Sequence, residues 1–532
     1  MVGAGCSAVG GSSRSLSFAG PDDGAQFNAE TIETLSFEAR DDGEPEEATV
    51  EDLIVLLDGA DVTTDAERDG VELVYAPQDL EDGERTVAFA QRPPADDDAE
   101  GDEAEGDSEP AAAEPEVLET WTVMVHTTPP DIEVTSPDGA VIAGEPLTVA
   151  GTTEPGATVG FADQDTTAGD DGSFELHLDS TPEGALALTA TDVAGNTTID
   201  EFALVTVPSR VEIDEVRTVH VSFWGWAGGL REPIMQMIDD GKINAVQLDL
   251  KDEGGQIGYD SEIPLAQEIG ASQGIFDLDA AVAELHERDV AVVGRIVAFA
   301  DPILVNWAWE NDQRDWVIQL PDGSAPYTGS YAGFSNYTHP DVLAYNIDVA
   351  QEAAAAGVDH ILWDYIRRPD GGLDNMLVPG LEGTPEAAIV DFARQADERL
   401  AGYGIQHGAS VYGIAADRPT QIGQDIPAMS EHLDYVAPMI YPSHWGPGEY
   451  GVADPNRQPY DIVQATLEVW QEATEGTRAR VVPWLEDTNY RAWDRPQQVR
   501  EQIRGARDLG IDEWMMWDPN VNYTTGAYES RD

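Results

Sequence analysis

The sequence predicts two N-terminal all-β sandwiches followed by a C-terminal (β/α)8 TIM barrel. Three observations carry this reading. Up to about residue 208, apolar and polar residues alternate in short runs bounded by turn residues. From residue 216, near-continuous apolar strands alternate with helical patterns, the signature of a parallel sheet buried on both faces. Aromatic and charged residues then gather after those strands, at the end where such barrels hold their sites.

The first element is a tether over residues 1–14. It contains Cys6, the chain's single cysteine, in "VGAGCSAVGGSSRS". Small residues before the cysteine and Gly/Ser after it resemble the end of a bacterial lipoprotein signal, with Gly3 where that motif has Leu. Lipidation of Cys6 is therefore expected, and with it a cell-surface or extracellular bacterial location, the lipid being the sole membrane contact. One cysteine excludes an intrachain disulfide.

Residues 15–128 follow as strands ("LSFEAR", "DLIVLLDG", "VELVYAP", "RTVAFAQ", "TWTVMVH"), interrupted near 93–116 by a charge-dense, low-complexity insertion expected to be disordered. Residues 129–208 form a second set of strands. Both sets open on a Pro-Asp turn leading to Gly-Ala, "PDDGAQF" and "SPDGAVI", and read as divergent repeats. Their strand spacing implies sandwiches. The second, with its "DVAGNTT", resembles bacterial Ig-like domains, and the first is grouped with it. Such a resemblance implies spacers or weak adhesion modules. The Asp-rich turns here could hold Ca²⁺, but solvated turns without a metal are the expectation.

Residues 216–528 contain eight strand candidates, at 217–224, 244–250, 290–299, 359–365, 408–414, 433–441, 480–485 and 512–518. Helical stretches lie between most of them, with Pro340 and Pro385 at first turns and Gly357 and Gly510 closing helices. Eight such units over about 310 residues are the size of a barrel.

Composition narrows the partners. Acidic residues outnumber basic ones 103 to 27, giving a formal net charge of −76. Nucleic acid and anionic membrane surfaces are poor partners for such a chain. Only two lysines occur, Lys242 and Lys251. This is either a halophilic surface or arginine-biased coding in an acidic exported protein. The nine histidines show no HxH or HExxH spacing, and neither a GxSxG elbow nor a P-loop is present, so no cofactor or metal is expected. A monomer is expected.

The strand ends carry Trp224 and Trp226; Asp249, Lys251 and Asp252; Arg295 and Asp301; Asp364, Arg367 and Arg368; Asp417; Tyr441 and His444; Trp484, Glu486 and Asp487; Trp517 and Asp518. Carboxylates among aromatic planes suit carbohydrate chemistry. Sugar rings stack on aromatic faces, and a pair of carboxyl groups flanks the scissile bond.

Six collinear stretches, "VQLDLKDEGGQIGYD", "GRIVAFADP", "ILWDYIRRPDG", "YVAPMIYPSHWGPG", "VVPWLEDTNY" and "EWMMWDPNVNYT", together resemble the putative glycosyl hydrolase family of bacterial TIM-barrel domains. Departures from that family's pattern are Glu486 for Gln, Arg368 for an aromatic and Asp518 for Asn. The resemblance implies hydrolysis of a glycosidic bond in a poly- or oligosaccharide. The alternative is a non-catalytic carbohydrate-binding or adhesion protein with a degenerate barrel. Asp364, at the end of strand 4, is the first candidate for the catalytic carboxylate, with Arg367 near enough to keep it ionised. Asp487 ranks just ahead of Asp417 as its acid/base partner. Substrate contacts are expected from Trp224, Asp249, Lys251, Asp252, Arg295, Arg367, Tyr441, His444, Trp484 and Trp517. Lys251 is expected to point into the cleft, bridging Asp249 or Asp364 to substrate.

Overall fold

The computed structural model describes residues 16–41, 50–78, 80–91, 114–182, 184–329 and 331–530. Cys6, the tether and most of the acidic insertion lie outside the described residues. The chain divides into two compact units, one of residues 1–137 and 146–203, the other of 138–145 and 204–532.

The first unit is strand-rich. A five-stranded sheet, including Leu53–Leu57, Gly83–Gln91 and Glu116–Val125, and a four-stranded sheet, including Phe37–Asp41 and Glu72–Tyr75, share one core of Phe37, Val55, Leu73, Phe89 and Trp121. Trp121 packs edge-on against Phe89, ring centroids 5.7 Å apart. In Phe37–Asp41, Glu72–Tyr75 and the second half of Glu116–Val125, burial alternates along the strand and puts one face on that core. Farther along, three- and four-stranded antiparallel sheets form from residues 133–178 and 158–203. Their strand Ser173–Leu178 alternates strictly between exposed and buried.

The second unit is a closed barrel of eight parallel strands: β1 Arg217–Val221, β2 Ala245–Lys251, β3 Ala291–Val297, β4 His360–Asp364, β5 Gln406–Tyr412, β6 Tyr435–Met439, β7 Trp484–Glu486 and β8 Trp514–Trp517. β5 pairs with β6, and β1 pairs with β8 to close the ring. Before β7, Arg480–Val481 pairs separately with the start of β6, because Pro483 cannot donate to the ladder. Seven helices follow strands in turn: α1 Arg231–Asp239, α2 Leu278–His286, α3 Pro340–Ala355, α4 Pro385–Leu400, α5 Ile426–Ser430, α6 Pro459–Ala473 and α7 Arg495–Arg507. Their starts follow capping chemistry, with Asp277, Thr384 and Asp494 side chains accepting from first-turn N–H groups.

No eighth helix follows β8 among the described residues. A 3-10 turn, Thr525–Ala527, takes its place. Lys242 Nζ donates to Thr525 O at 2.7 Å, so this lysine pins the closing segment. No helix among the described residues is long and apolar enough to cross a membrane.

Candidate active site

The strand ends open into a cavity of about 450 Å³. Two carboxylates line it, Asp364 and Glu253. Asp364 is the last residue of β4 and is buried. Its Oδ2 accepts from Arg295 Nε at 2.8 Å, and its Oδ1 accepts from Ser410 Oγ at 3.0 Å and Tyr365 N at 2.8 Å. Tyr365 takes a φ of 53°, a left-handed conformation that costs a non-glycine residue of order 1–3 kcal/mol. That turn sends the chain away from β4 immediately after the carboxylate.

Arg295 on β3 organises the floor. Its Nη1 donates to Asp249 Oδ1 at 2.8 Å and its Nη2 to Glu253 Oε1 at 2.5 Å; Nη2 also lies 2.7 Å from Asp364 Oδ2. Burial opposes the guanidinium charge, but Glu253, Asp249 and Asp364 outweigh it and raise its pKa well above the ordinary value. Asp249 beneath also contacts His220 Nε2 at 3.0 Å. Burial works against its ionisation, yet His220 and Arg295 hold its carboxyl down at about 2. The network runs across β1, β2, β3, β4 and β5, one inward side chain from each.

Aromatic planes form the walls. Tyr441 and Trp517 stack at 5.1 Å and 17°, and His444 lies 5.4 Å from Tyr441. Burial depresses the His444 pKa, with Arg491 adding to it. Arg367 is encased by Tyr412, Tyr365, Tyr331 and Phe334, its guanidinium carbon 4.8–5.6 Å from their ring centres. Gly413 completes one wall, because a Cβ there would meet Met439 O at 2.6 Å and Trp445 Cζ2 at 2.9 Å. Three buried donors in this lining have no acceptor among the described residues: Arg367 Nη2, Trp445 Nε1 and Trp484 Nε1. Buried donors ordinarily find a partner. A ligand rich in oxygen acceptors would supply it.

Arg295, Arg367, Tyr441, His444, Trp484 and Trp517 thus stand around the cavity with Asp364, as the sequence suggests. Asp249 lies one layer below. Other expectations need correction. Lys251 does not reach the cleft. A bulge in the β2–β3 ladder between Asp249 and Lys251 turns its side chain outward, where it is fully buried. There its Nζ pairs with Asp301 Oδ2 at 2.7 Å and donates to Asn346 Oδ1 at 2.9 Å. Asp252 closes a turn, accepting from Gly254 N at 2.9 Å and Gln256 N at 3.0 Å. Trp224 is 59% exposed on the short helix Phe223–Ala227, outside the cavity lining.

Neither expected acid/base aspartate lines the cavity. Asp487 is fully buried, accepting from Arg495 Nε at 2.5 Å, Thr524 Oγ1 at 2.8 Å and Tyr528 OH at 2.7 Å. Arg495 continues to Asp518 Oδ2 at 2.6 Å, so this cluster fastens the segment that stands in for the missing helix. Asp417 accepts from Tyr450 OH at 3.2 Å and lies 3.8 Å from Arg418. Glu253, Ser410, Tyr412 and Trp445 line the cavity and are not among the expected site residues. The signal for Glu253 was present in "LDLKDE": with Lys251 bulged outward and Asp252 closing the turn, Glu253 is the carboxylate left to the mouth.

Residues 218–523 match a family described as "Putative glycosyl hydrolase domain". No curated protein matches the chain. Among solved structures, it is similar to a hypothetical protein from Ruminiclostridium thermocellum ATCC 27405, at 27% identity over 36% of this chain and 96% of that one, TM-score 0.31. It is also similar to the PgaB (BpsB) glycoside hydrolase domain from Bordetella bronchiseptica, at 16% identity over 60% and 100%, TM-score 0.44. The third is TtGalA, an alpha-galactosidase from Thermus thermophilus in complex with stachyose, at 13% identity over 73% and 76%, TM-score 0.37.

Proposed function

We propose a function from one premise: the chain belongs to the putative glycosyl hydrolase domain family matched over residues 218–523. It hydrolyses glycosidic bonds of an oligo- or polysaccharide, with Asp364 as nucleophile and Glu253 as acid/base. The observation that carries this reading is the pair of carboxylates in the cavity lining. Arg295 Nη2 lies 2.5 Å from Glu253 Oε1 and 2.7 Å from Asp364 Oδ2, and the sum of those legs caps the separation of these oxygens at 5.2 Å. Retaining enzymes hold their carboxyl groups about 5–5.5 Å apart and inverting ones about 6.5–9.5 Å, and the bound on this one oxygen pair supports the closer arrangement.

The chemistry follows. Asp364, oriented by Arg295, Ser410 and the Tyr365 N–H, attacks the anomeric carbon. The bond to the leaving oxygen breaks as Glu253 delivers its proton there. Glu253 then takes a proton from water, whose oxygen displaces Asp364 and restores both groups. Tyr441, Trp517 and Trp484 supply the planes for sugar stacking, and the unpaired donors of Arg367, Trp445 and Trp484 face sugar hydroxyls.

A second reading, a carbohydrate-binding barrel without turnover, has one observation behind it: a single guanidinium holds both carboxylates. A polysaccharide panel assayed for new reducing ends separates the two. Turnover by the wild type, abolished in Asp364→Asn with binding retained, supports hydrolysis. Binding without reducing ends in the wild type overturns it. Asp364→Asn with full activity removes that residue from the mechanism.

A further inference from the structure

We propose that His126, Glu154 and Asp192, in the strand-rich unit, form a site for a divalent transition metal ion of the zinc type. His126 follows the strand Glu116–Val125. Glu154 lies in the turn after Leu147–Thr152, and Asp192 opens the turn after Ala185–Thr191. His126 Nδ1 lies 3.0 Å from Asp192 Oδ2 and 3.5 Å from Glu154 Oε1, and the three ligand atoms lie within 4.8 Å of one another.

The stoichiometry of protons argues for an ion. An imidazole Nδ1 carries at most one hydrogen, so it can serve one carboxylate but not two. Two carboxylates nevertheless converge on that single nitrogen and on each other. A cation bound to all three resolves both conflicts. The spacing suits it: zinc bonds of about 2.0–2.2 Å in tetrahedral geometry put ligand atoms about 3.4 Å apart, and the observed 3.0 and 3.5 Å bracket that edge. The imidazole selects the ion class. Calcium takes six to eight oxygens and magnesium keeps a hydrated octahedron, whereas imidazole with carboxylates suits zinc and its neighbours.

The ligands are also oriented from behind. Asn196 Nδ2 donates to Asp192 Oδ2 at 2.7 Å and to the His126 carbonyl at 2.6 Å. The Asp192 side chain is 1% exposed, while those of His126 and Glu154 are 28% and 33% exposed. One side therefore stays open to water as a fourth ligand. Linear spacing hides the site, because the fold brings three separate turns together.

The full-length protein, stripped with EDTA, would be titrated with Zn²⁺ by calorimetry in millimolar Ca²⁺ and Mg²⁺, which occupy surface carboxylates. One saturable site is expected, weakened more than about tenfold in His126→Gln and Glu154→Gln, and about 10–100-fold in Asn196→Ala. Co²⁺ should give the intense visible absorption of tetrahedral coordination, lost in Glu154→Gln. That variant alters a partly exposed turn, and its circular dichroism should match the wild type. Absence of a saturable site, or identical titrations for wild type and both ligand variants, overturns the proposal.

Discussion

Replacing Lys251 by Met tests whether this lysine belongs to the scaffold rather than to the chemistry. Met keeps most of the stem and removes the ammonium. The side chains of Lys251 and Asp301 are both 0% exposed, 2.7 Å apart, and the ammonium also serves Asn346 Oδ1 and the Ala298 carbonyl while lying 5.0 Å from the Tyr345 ring centre. Removing one member of a buried pair leaves the other charge uncompensated, which costs about 3–5 kcal/mol. Lys251→Met should lose that much in the unfolding of the barrel unit. Asp301 also caps the helix Pro302–Glu310 by accepting from Leu304 N at 2.9 Å, and Asn at this position keeps that acceptor. The double variant Lys251→Met/Asp301→Asn should therefore recover most of the loss and fall within about 2 kcal/mol of wild type. Urea unfolding followed by tryptophan fluorescence reads it out, because all the tryptophans except Trp121 lie in the barrel unit. A Lys251→Met protein within about 1 kcal/mol of wild-type stability that has lost turnover would refute the reasoning and return the lysine to the cleft.

Two further predictions concern neighbouring carboxylates. Asp249, with its folded pKa held at about 2 against 3.8, contributes stability that is present above pH 4 and lost as pH falls through 2. The amount is about 2 kcal/mol, and Asp249→Asn should flatten the dependence of unfolding free energy on pH between 5 and 2. Asp487→Asn should lower the barrel's stability by about 1–3 kcal/mol, since it weakens the acceptor shared by Arg495, Thr524 and Tyr528 while Asp518 still pairs with Arg495, and turnover per folded molecule should stay within about threefold of wild type.

The sequence made the barrel legible because its strands are short apolar runs set between helices with cap signals at their starts. The helices predicted at 278–288, 340–356, 385–401, 459–473 and 495–509 differ from those observed by at most two residues at either end. Their boundaries are local events: Asp277, Thr384 and Asp494 each satisfy a first-turn N–H. The absent eighth helix was not legible in the same way. What replaces it is fastened by contacts distant in sequence, from Lys242 to Thr525 and from Asp487 to Tyr528.

The misplaced residues at the ends of β2 and β7 share one physical cause. At the C-terminal ends of barrel strands, successive side chains point alternately to the mouth and to the surrounding helices. Charged residues at those ends therefore include both cleft groups and scaffold groups, and composition alone does not sort them. On β4 the alternation runs cleanly to Asp364, whose sequence assignment to the mouth agrees with its position. On β2 a bulge after Asp249 inverts it, so Lys251 joins Asp301 behind the wall and Glu253 comes to the cavity. On β7 the ladder holds Trp484 toward the mouth, which leaves Asp487 to Arg495 and the closing segment. A single register shift is enough to exchange a scaffold ion pair for a cleft carboxylate. Such shifts lie in backbone hydrogen bonding between strands about 45 residues apart, the spacing of Asp249 and Arg295. This explains why a carboxylate four positions from Asp249 takes the place by Asp364 that the sequence pattern assigned to strand 7.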